Sequence, residues 1–245
     1  MLHRRKFLLG LMACPLCARG AVAEGPHWEY ETPGAWGELD PAYKVCAVGQ
    51  EQSPIDLKDA ISADFGRIAI DWKPQAFPIL NNGHTIQADA GPGAGSLRIG
   101  KEKYELKQFH FHTPAEHAVN GKLAAMEVHF VHARADGKLA VVGAFLNGGG
   151  KNSAFSRIMK AAPTTQGEAR LDKPLNPRTL APAQGPIFRY EGSLTTPPCS
   201  EIVDWNIFAA PVRVAQADID AFRKIFPHNA RPLQGLNRRF VLRGK

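Results

Sequence analysis

The sequence predicts a mainly β protein built as one domain, and three observations carry that reading. At 245 residues, 44% hydrophobic and 22% charged, the chain has the apolar mass for one sizeable core, which excludes disordered and fibrous classes. Its 23 glycines and 19 prolines point to many turns and away from a helix bundle. Eight short runs rich in β-branched or aromatic residues, at 67–72, 85–88, 96–99, 105–112, 125–132, 139–146, 187–192 and 202–209, are bounded by Gly, Pro or Asn as strands are. No apolar run reaches the roughly 20 residues of a spanning helix, so no membrane span is expected.

The chain opens on a segment that reads as an address and not as structure. His3-Arg4-Arg5-Lys6 precedes an apolar stretch at 7–18, and Ala21-Val22-Ala23 supplies an A-x-A cleavage site, the layout of a signal peptide over residues 1–23. A buried first helix would instead crowd Arg4, Arg5 and Lys6 at its N-terminus, where the helix dipole disfavours cations. The export route stays open. Arg4-Arg5-x-Phe7-Leu8 resembles a twin-arginine signal, general secretion fits equally, and Leu11-Met12-Ala13-Cys14 resembles a lipobox that would anchor the chain at Cys14. The expectation is a periplasmic or secreted domain spanning 24–245.

Cleavage changes the charge argument. It removes Arg4, Arg5, Lys6 and Arg19 and no acid, taking the formal charge from +7 to +3 and with it the main support for a nucleic-acid partner. Arg231, Arg238, Arg239, Arg243 and Lys245 then read as a solvated face. Cys14 and Cys17 leave with the leader. The remaining pair, Cys46 and Cys199, is most simply a disulfide in an exported chain. Residues 24–55 are loop-like, broken by Pro26, Pro33, Gly34, Gly37, Pro41 and Pro54. Helical pattern is confined to 153–160, 174–180 and 215–226, the last acidic early and basic late.

The chemistry is concentrated in histidines, five of which fall between His110 and His132. Strand alternation sends Gln108, His110 and His112 to one face and Phe109 and Phe111 to the other; Glu127, His129 and Val131 likewise share a face. If the two strands are antiparallel neighbours across the turn at Asn120-Gly121, three imidazoles meet on rigid elements. That donor set suits tetrahedral zinc with one open position, with Gln108 and Glu127 placed to orient the rings. His110-x-His112 followed by Glu116 also imitates the opening of a cupin metal motif, but the Pro-x-Gly then His that should come next is missing.

The ordered segments His27-Trp28-x-Tyr30, Cys46 then Gln52-Ser53-Pro54-Ile55-Asp56, Asn81-Asn82-Gly83-His84, FHFHTPAEH at 109–117, MEVHFVH at 126–132, LAVVGAFL at 139–146, GSLTTPPCSE at 192–201 and NARPLQ at 229–234 resemble those of the alpha-class carbonic anhydrases through nearly the whole mature chain. The resemblance implies a single large twisted, mostly antiparallel sheet with short peripheral helices and a zinc cofactor at the bottom of a conical cleft. It implies reversible hydration of carbon dioxide to bicarbonate and a proton through a zinc-bound hydroxide, with ester hydrolysis as a side activity.

The resemblance also assigns roles. His110, His112 and His129 are the zinc ligands, Thr195 and Glu116 orient the nucleophile, and Thr196 meets bicarbonate. Val131, Val141, Leu194, Val203 and Trp205 form the apolar wall for carbon dioxide. His84 is the proton shuttle, with Asn82 and Gln87 holding its waters, and His117, His132, Arg231 and Trp28 are structural. Cys46–Cys199 is the disulfide of exported bacterial members, and a homodimer is the expected assembly. Some members of the family are non-catalytic binding modules that have lost zinc ligands; here all three ligands, both threonines and the shuttle are present.

Overall fold

The computed structural model describes residues 26–244; the leader expected at 1–23, with Cys14 and Cys17, lies outside them. The strands are β1 (Asp56–Leu57), β2 (Ile61–Ser62), β3 (Ile68–Trp72), β4 (Pro78–Asn81), β5 (Ile86–Asp89), β6 (Gly95–Ile99), β7 (Glu102–His112), β8 (Ala118–Val119), β9 (Lys122–Leu123), β10 (Met126–Ala133), β11 (Leu139–Asn147), β12 (Gly167–Arg170), β13 (Ile187–Gly192), β14 (Val203–Arg213) and β15 (Leu242–Gly244). Helices are few and peripheral: α1 (Trp36–Leu39), α2 (Val45–Val48), α3 (Ser153–Ala161) and α4 (Gln216–Ile225), with short 3-10 turns. None is long and apolar enough to cross a membrane.

One twelve-stranded sheet organises the molecule, in the order β12-β4-β5-β7-β10-β11-β14-β13-β15-β2, with β6 also on β7 and β3 on β6. Its pairings are antiparallel except β11 with β14 and β15 with β2, as a mostly antiparallel sheet requires. A three-stranded sheet, β1-β8-β9, flanks it. Segment 24–55, read as loop, carries α1 and α2, and 174–180 contracts to a 3-10 turn at Pro177–Leu180 because Pro177 pre-sets a single tight turn capped by Asn176.

Alternation decides which side chains reach the site. On β10, Met126, Val128 and Phe130 enter the larger core, packed with Phe109 and Phe111 of β7, while Glu127, His129 and Val131 face the other way. On β7, Tyr104 and Leu106 share the core side with Phe109 and Phe111 although their parity differs. The register shift explains this: Val131 pairs with Gln108 and His132 with Leu106, so Lys107 is an extra residue. A bulge re-aims the side chains beyond it, and this one puts Tyr104 and Leu106 on the side of Phe109 and Phe111, while alternation after it sends His110 and His112 to the opposite face. A second cluster, with Val141, Phe188, Tyr190, Val203, Trp205 and Ile207, packs on that opposite face.

Candidate metal centre

His129 of β10 pairs directly with His110 of β7, and Glu127 with His112, which brings three imidazoles together from two adjacent strands. Ring centroids lie 4.9 Å apart for His110 and His112, 5.4 Å for His110 and His129, and 4.6 Å for His112 and His129. One nitrogen from each ring falls within 4.8 Å of the other two. The connecting segment contains the β8–β9 hairpin, whose turn residues Asn120 and Gly121 both have positive φ, 49° and 75°.

Each ring is turned by a partner on its far side. His110 Nδ1 lies 2.7 Å from Gln108 Oε1, and His112 Nδ1 donates to Asn229 O at 2.7 Å. His129 Nε2 sits 3.0 Å from Glu127 Oε1. That leaves Nε2 of His110, Nε2 of His112 and Nδ1 of His129 for a common ligand. His112 Nε2 is buried with no hydrogen-bond partner, an expensive state for a polar atom unless it binds an ion. The residues present fit a zinc ion.

Glu127 anchors the arrangement. Its Oε2 accepts from the backbone N–H of Glu116 and His117, both at 2.9 Å, and its Oε1 from His117 Nδ1 at 2.9 Å. Burial alone would raise its pKa, but His117 and His129 outweigh burial and hold it well below the carboxylate range. His117 Nε2 is 2.7 Å from Tyr190 Oη, which is 2.8 Å from Ser53 Oγ; Ser53 Oγ accepts from Ser193 N at 3.0 Å. In a second group of ligand atoms, His117, Glu127 and His129, both ring nitrogens of His117 and both oxygens of Glu127 are thereby engaged in hydrogen bonds of their own. Burial drops His110 well below the ordinary imidazole value, helped by its two histidine neighbours. Burial also lowers His112, against an opposing pull from Glu116. At His129 the Glu127 carboxylate overrides burial and raises the pKa.

The remaining expected residues fall into three groups. Val131, Val141, Leu194, Val203 and Trp205 gather in the second core cluster, and the Trp205 ring centre is 4.8 Å from that of His129. Glu116 is buried, with Oε1 accepting from Arg231 N at 2.8 Å and Oε2 3.6 Å from His112 Nε2 and 3.8 Å from His129 Nδ1. Oε2 carries no hydrogen bond, so the link from the Thr195 hydroxyl is not made. Thr195 is buried and Thr196 half-buried on a loop tied by Leu194 N to Ser200 O and Cys199 N to Thr196 O. The Cys46–Cys199 disulfide joins this loop to α2, with Cα atoms 5.0 Å apart.

His84 stacks on Trp28, with centroids 3.9 Å apart and planes within 7°. Burial lowers its pKa, His27 lowers it further, and Glu29 pulls it back. Asn82 Oδ1 accepts from the backbone N–H of His84 and Thr85, which occupies it in building the turn. Gln87 donates to Asp89 Oδ1 and pairs with His110 across the strands. Two residues that matter here lie in segments that carry the resemblance, but the sequence gives them no role. Asn229 orients His112 through its carbonyl and donates through Nδ2 to His84 O and Phe111 O. Gly143 lies opposite His129 on β11, where an added Cβ would meet Glu127 Oε1 at 3.1 Å.

The family model described as eukaryotic-type carbonic anhydrase matches residues 31–245. The chain belongs to the alpha carbonic anhydrase family. It is 40% identical to a carbonic anhydrase of Nostoc sp. over 98% of this chain and 97% of that one, and 35% identical to one of Neisseria gonorrhoeae over 95% and 94%. Among solved structures, the alpha-carbonic anhydrase of Thermovibrio ammonificans in complex with sulfanilamide superposes with a TM-score of 0.86 at 39% identity, covering 89% of this chain and 100% of that one. The carbonic anhydrase fold here is one large sheet with short peripheral helices and a small flanking sheet.

Proposed function

We propose that the chain is a zinc enzyme catalysing the reversible hydration of carbon dioxide to bicarbonate and a proton. The observation that supports this best is the convergence of three ring nitrogens whose opposite nitrogens face Gln108, Asn229 and Glu127. His110 and His112 would hold the ion through Nε2 and His129 through Nδ1. When bound, zinc supplies the Lewis acidity that in carbonic anhydrases brings the pKa of a water ligand from about 15.7 to about 7, on the order of 12 kcal/mol.

The protein contributes position and proton handling. Gln108 and Glu127 keep the rings of His110 and His129 turned to the ion. Glu116 Oε2 carries no hydrogen bond, and a Thr195 hydroxyl turned to donate to it would present a lone pair that orients the attacking oxygen. Thr196 meets bicarbonate. Carbon dioxide is small and uncharged, so the apolar wall of Val131, Val141, Leu194, Val203 and Trp205 suits it and no ionic clamp is needed. Burial lowers the pKa of His84, which favours the neutral ring, and that ring can take the released proton at a nitrogen and pass it to buffer. Ester hydrolysis follows as a side activity, since the same site can present water to other carbonyls. The disulfide supports an exported enzyme, in the periplasm or outside the cell once residues 1–23 are removed.

Stopped-flow hydration by zinc-loaded, oxidised residues 24–245 tests this against His112→Ala and His84→Ala. Fast turnover should vanish in His112→Ala, and in His84→Ala should slow in weak buffer and recover in strong buffer. A folded, zinc-loaded parent that hydrates no carbon dioxide would overturn the proposal.

A further inference from the structure

The face of the sheet opposite the histidines carries a cavity of about 390 Å³ between β3, residues 178–185 and the paired ends of β13 and β14. Ile68, Ile70, Ile187 and Phe208 give it an apolar lining continuous with the larger core. Arg67, Arg178 and Gln184 also line it, and no Asp or Glu does. Among the described residues the arginines in ion pairs are Arg134, Arg157, Arg170 and Arg189, so neither Arg67 nor Arg178 has a carboxylate partner.

Arg178 is held in place. Its Nη1 donates to Ala181 O at 3.0 Å and its Nη2 to Ala183 O at 2.8 Å, and the guanidinium lies 5.9 Å from the Phe208 ring centre. Two of its five N–H donors are thus engaged and three remain. A fixed, half-buried guanidinium beside apolar surface favours a planar anion that can accept two parallel hydrogen bonds while its body covers the isoleucines. We infer that this cavity binds a small amphiphilic monocarboxylate, its tail on Ile68, Ile70, Ile187 and Phe208 and its carboxylate on Arg178 with help from Arg67. The site is separate from the metal centre, whose apolar wall belongs to the cluster on the other face.

Octanoate is the probe, followed by amide chemical-shift mapping of the zinc-loaded protein, with octanol as the uncharged control. Shifts should centre on Ile68, Ile70, Gln184, Gly185, Ile187 and Phe208, with octanol at least about tenfold weaker. Arg178→Gln should weaken octanoate about tenfold. Arg67 is exposed, so Arg67→Gln tests the charge requirement even where Arg178→Gln unfolds, and should weaken binding by a smaller factor. Shifts confined to the surroundings of His110, His112 and His129, equal affinity for octanol and octanoate, or unchanged octanoate affinity in both folded arginine variants would each overturn the inference.

Discussion

Glu127 is a fully buried carboxylate with hydrogen bonds to two backbone amides and His117 and a close approach to His129, and its charge is what fixes the ring of His129. Glu127→Gln keeps the shape but removes the charge and one acceptor. Zinc affinity should fall about 10- to 100-fold, measured by competition with a chelator, while the fold persists by circular dichroism. At this scale the sequence was informative where residues are close along the chain. His110, His112 and Gln108 announce themselves by alternation, as do Glu127 and His129. Asn229 and Tyr190 do not: Asn229 meets His112 across 117 positions and Tyr190 meets His117 across 73, and nothing local in a single chain encodes such contacts. The Thr195 and Glu116 roles rested on resemblance, and the geometry leaves their hydrogen bond unmade.

At the scale of elements, long strands with β-branched and aromatic residues were legible, and 187–192 matches β13 end to end. The strands missed are two to four residues long, such as β4, which begins at Pro78, and β12, Gly-Glu-Ala-Arg at the sheet edge; their pairing comes from neighbours and not from local pattern. The bulge at Lys107 was also invisible, because alternation was read only from Gln108 onward. Two consequences follow for the frame of the site. Gly143→Val should press on Glu127 and Ile207 and lower zinc affinity about 10-fold or more in the same chelator assay, whereas Ala144, next along β11 and facing the larger core, should tolerate Val without that loss. Opening Cys46–Cys199, which spans 153 positions, should lower unfolding free energy by about 5 kcal/mol at most, and should also lower hydration activity because the bridge ends four residues after Thr195. Denaturant titration and stopped-flow rates on the Cys46→Ser, Cys199→Ser double variant check both, and undiminished activity at moderate temperature would remove the link to the loop.

Across the whole molecule, the sheet separates a large apolar core from the histidine cluster, and a buried histidine on the core side contributes to the response to acid. His132 accepts from Trp72 Nε1 at 2.8 Å and donates from Nδ1 to Ala140 O at 3.2 Å, a neutral ring whose pKa burial lowers to about 4. The unfolded chain takes up that proton near pH 6.5. The stability tied to the neutral ring is therefore full above about pH 6.5, is lost as the pH falls towards 4, and is flat below; 2.5 units correspond to about 3 kcal/mol. Urea unfolding across this window should show the slope in the parent and a flatter one in His132→Gln. The homodimer that the family resemblance implies is read directly by sedimentation of residues 24–245.

The proposed zinc site is made by three histidines from two paired strands and serves carbon dioxide hydration. Its most direct test is the initial hydration rate of metal-free protein titrated with zinc. The rate should rise linearly, break at one equivalent per chain and stay flat beyond it, and His112→Ala should show no rise. A rate that does not depend on zinc, or that keeps rising past one equivalent, or that survives in His112→Ala, would contradict it.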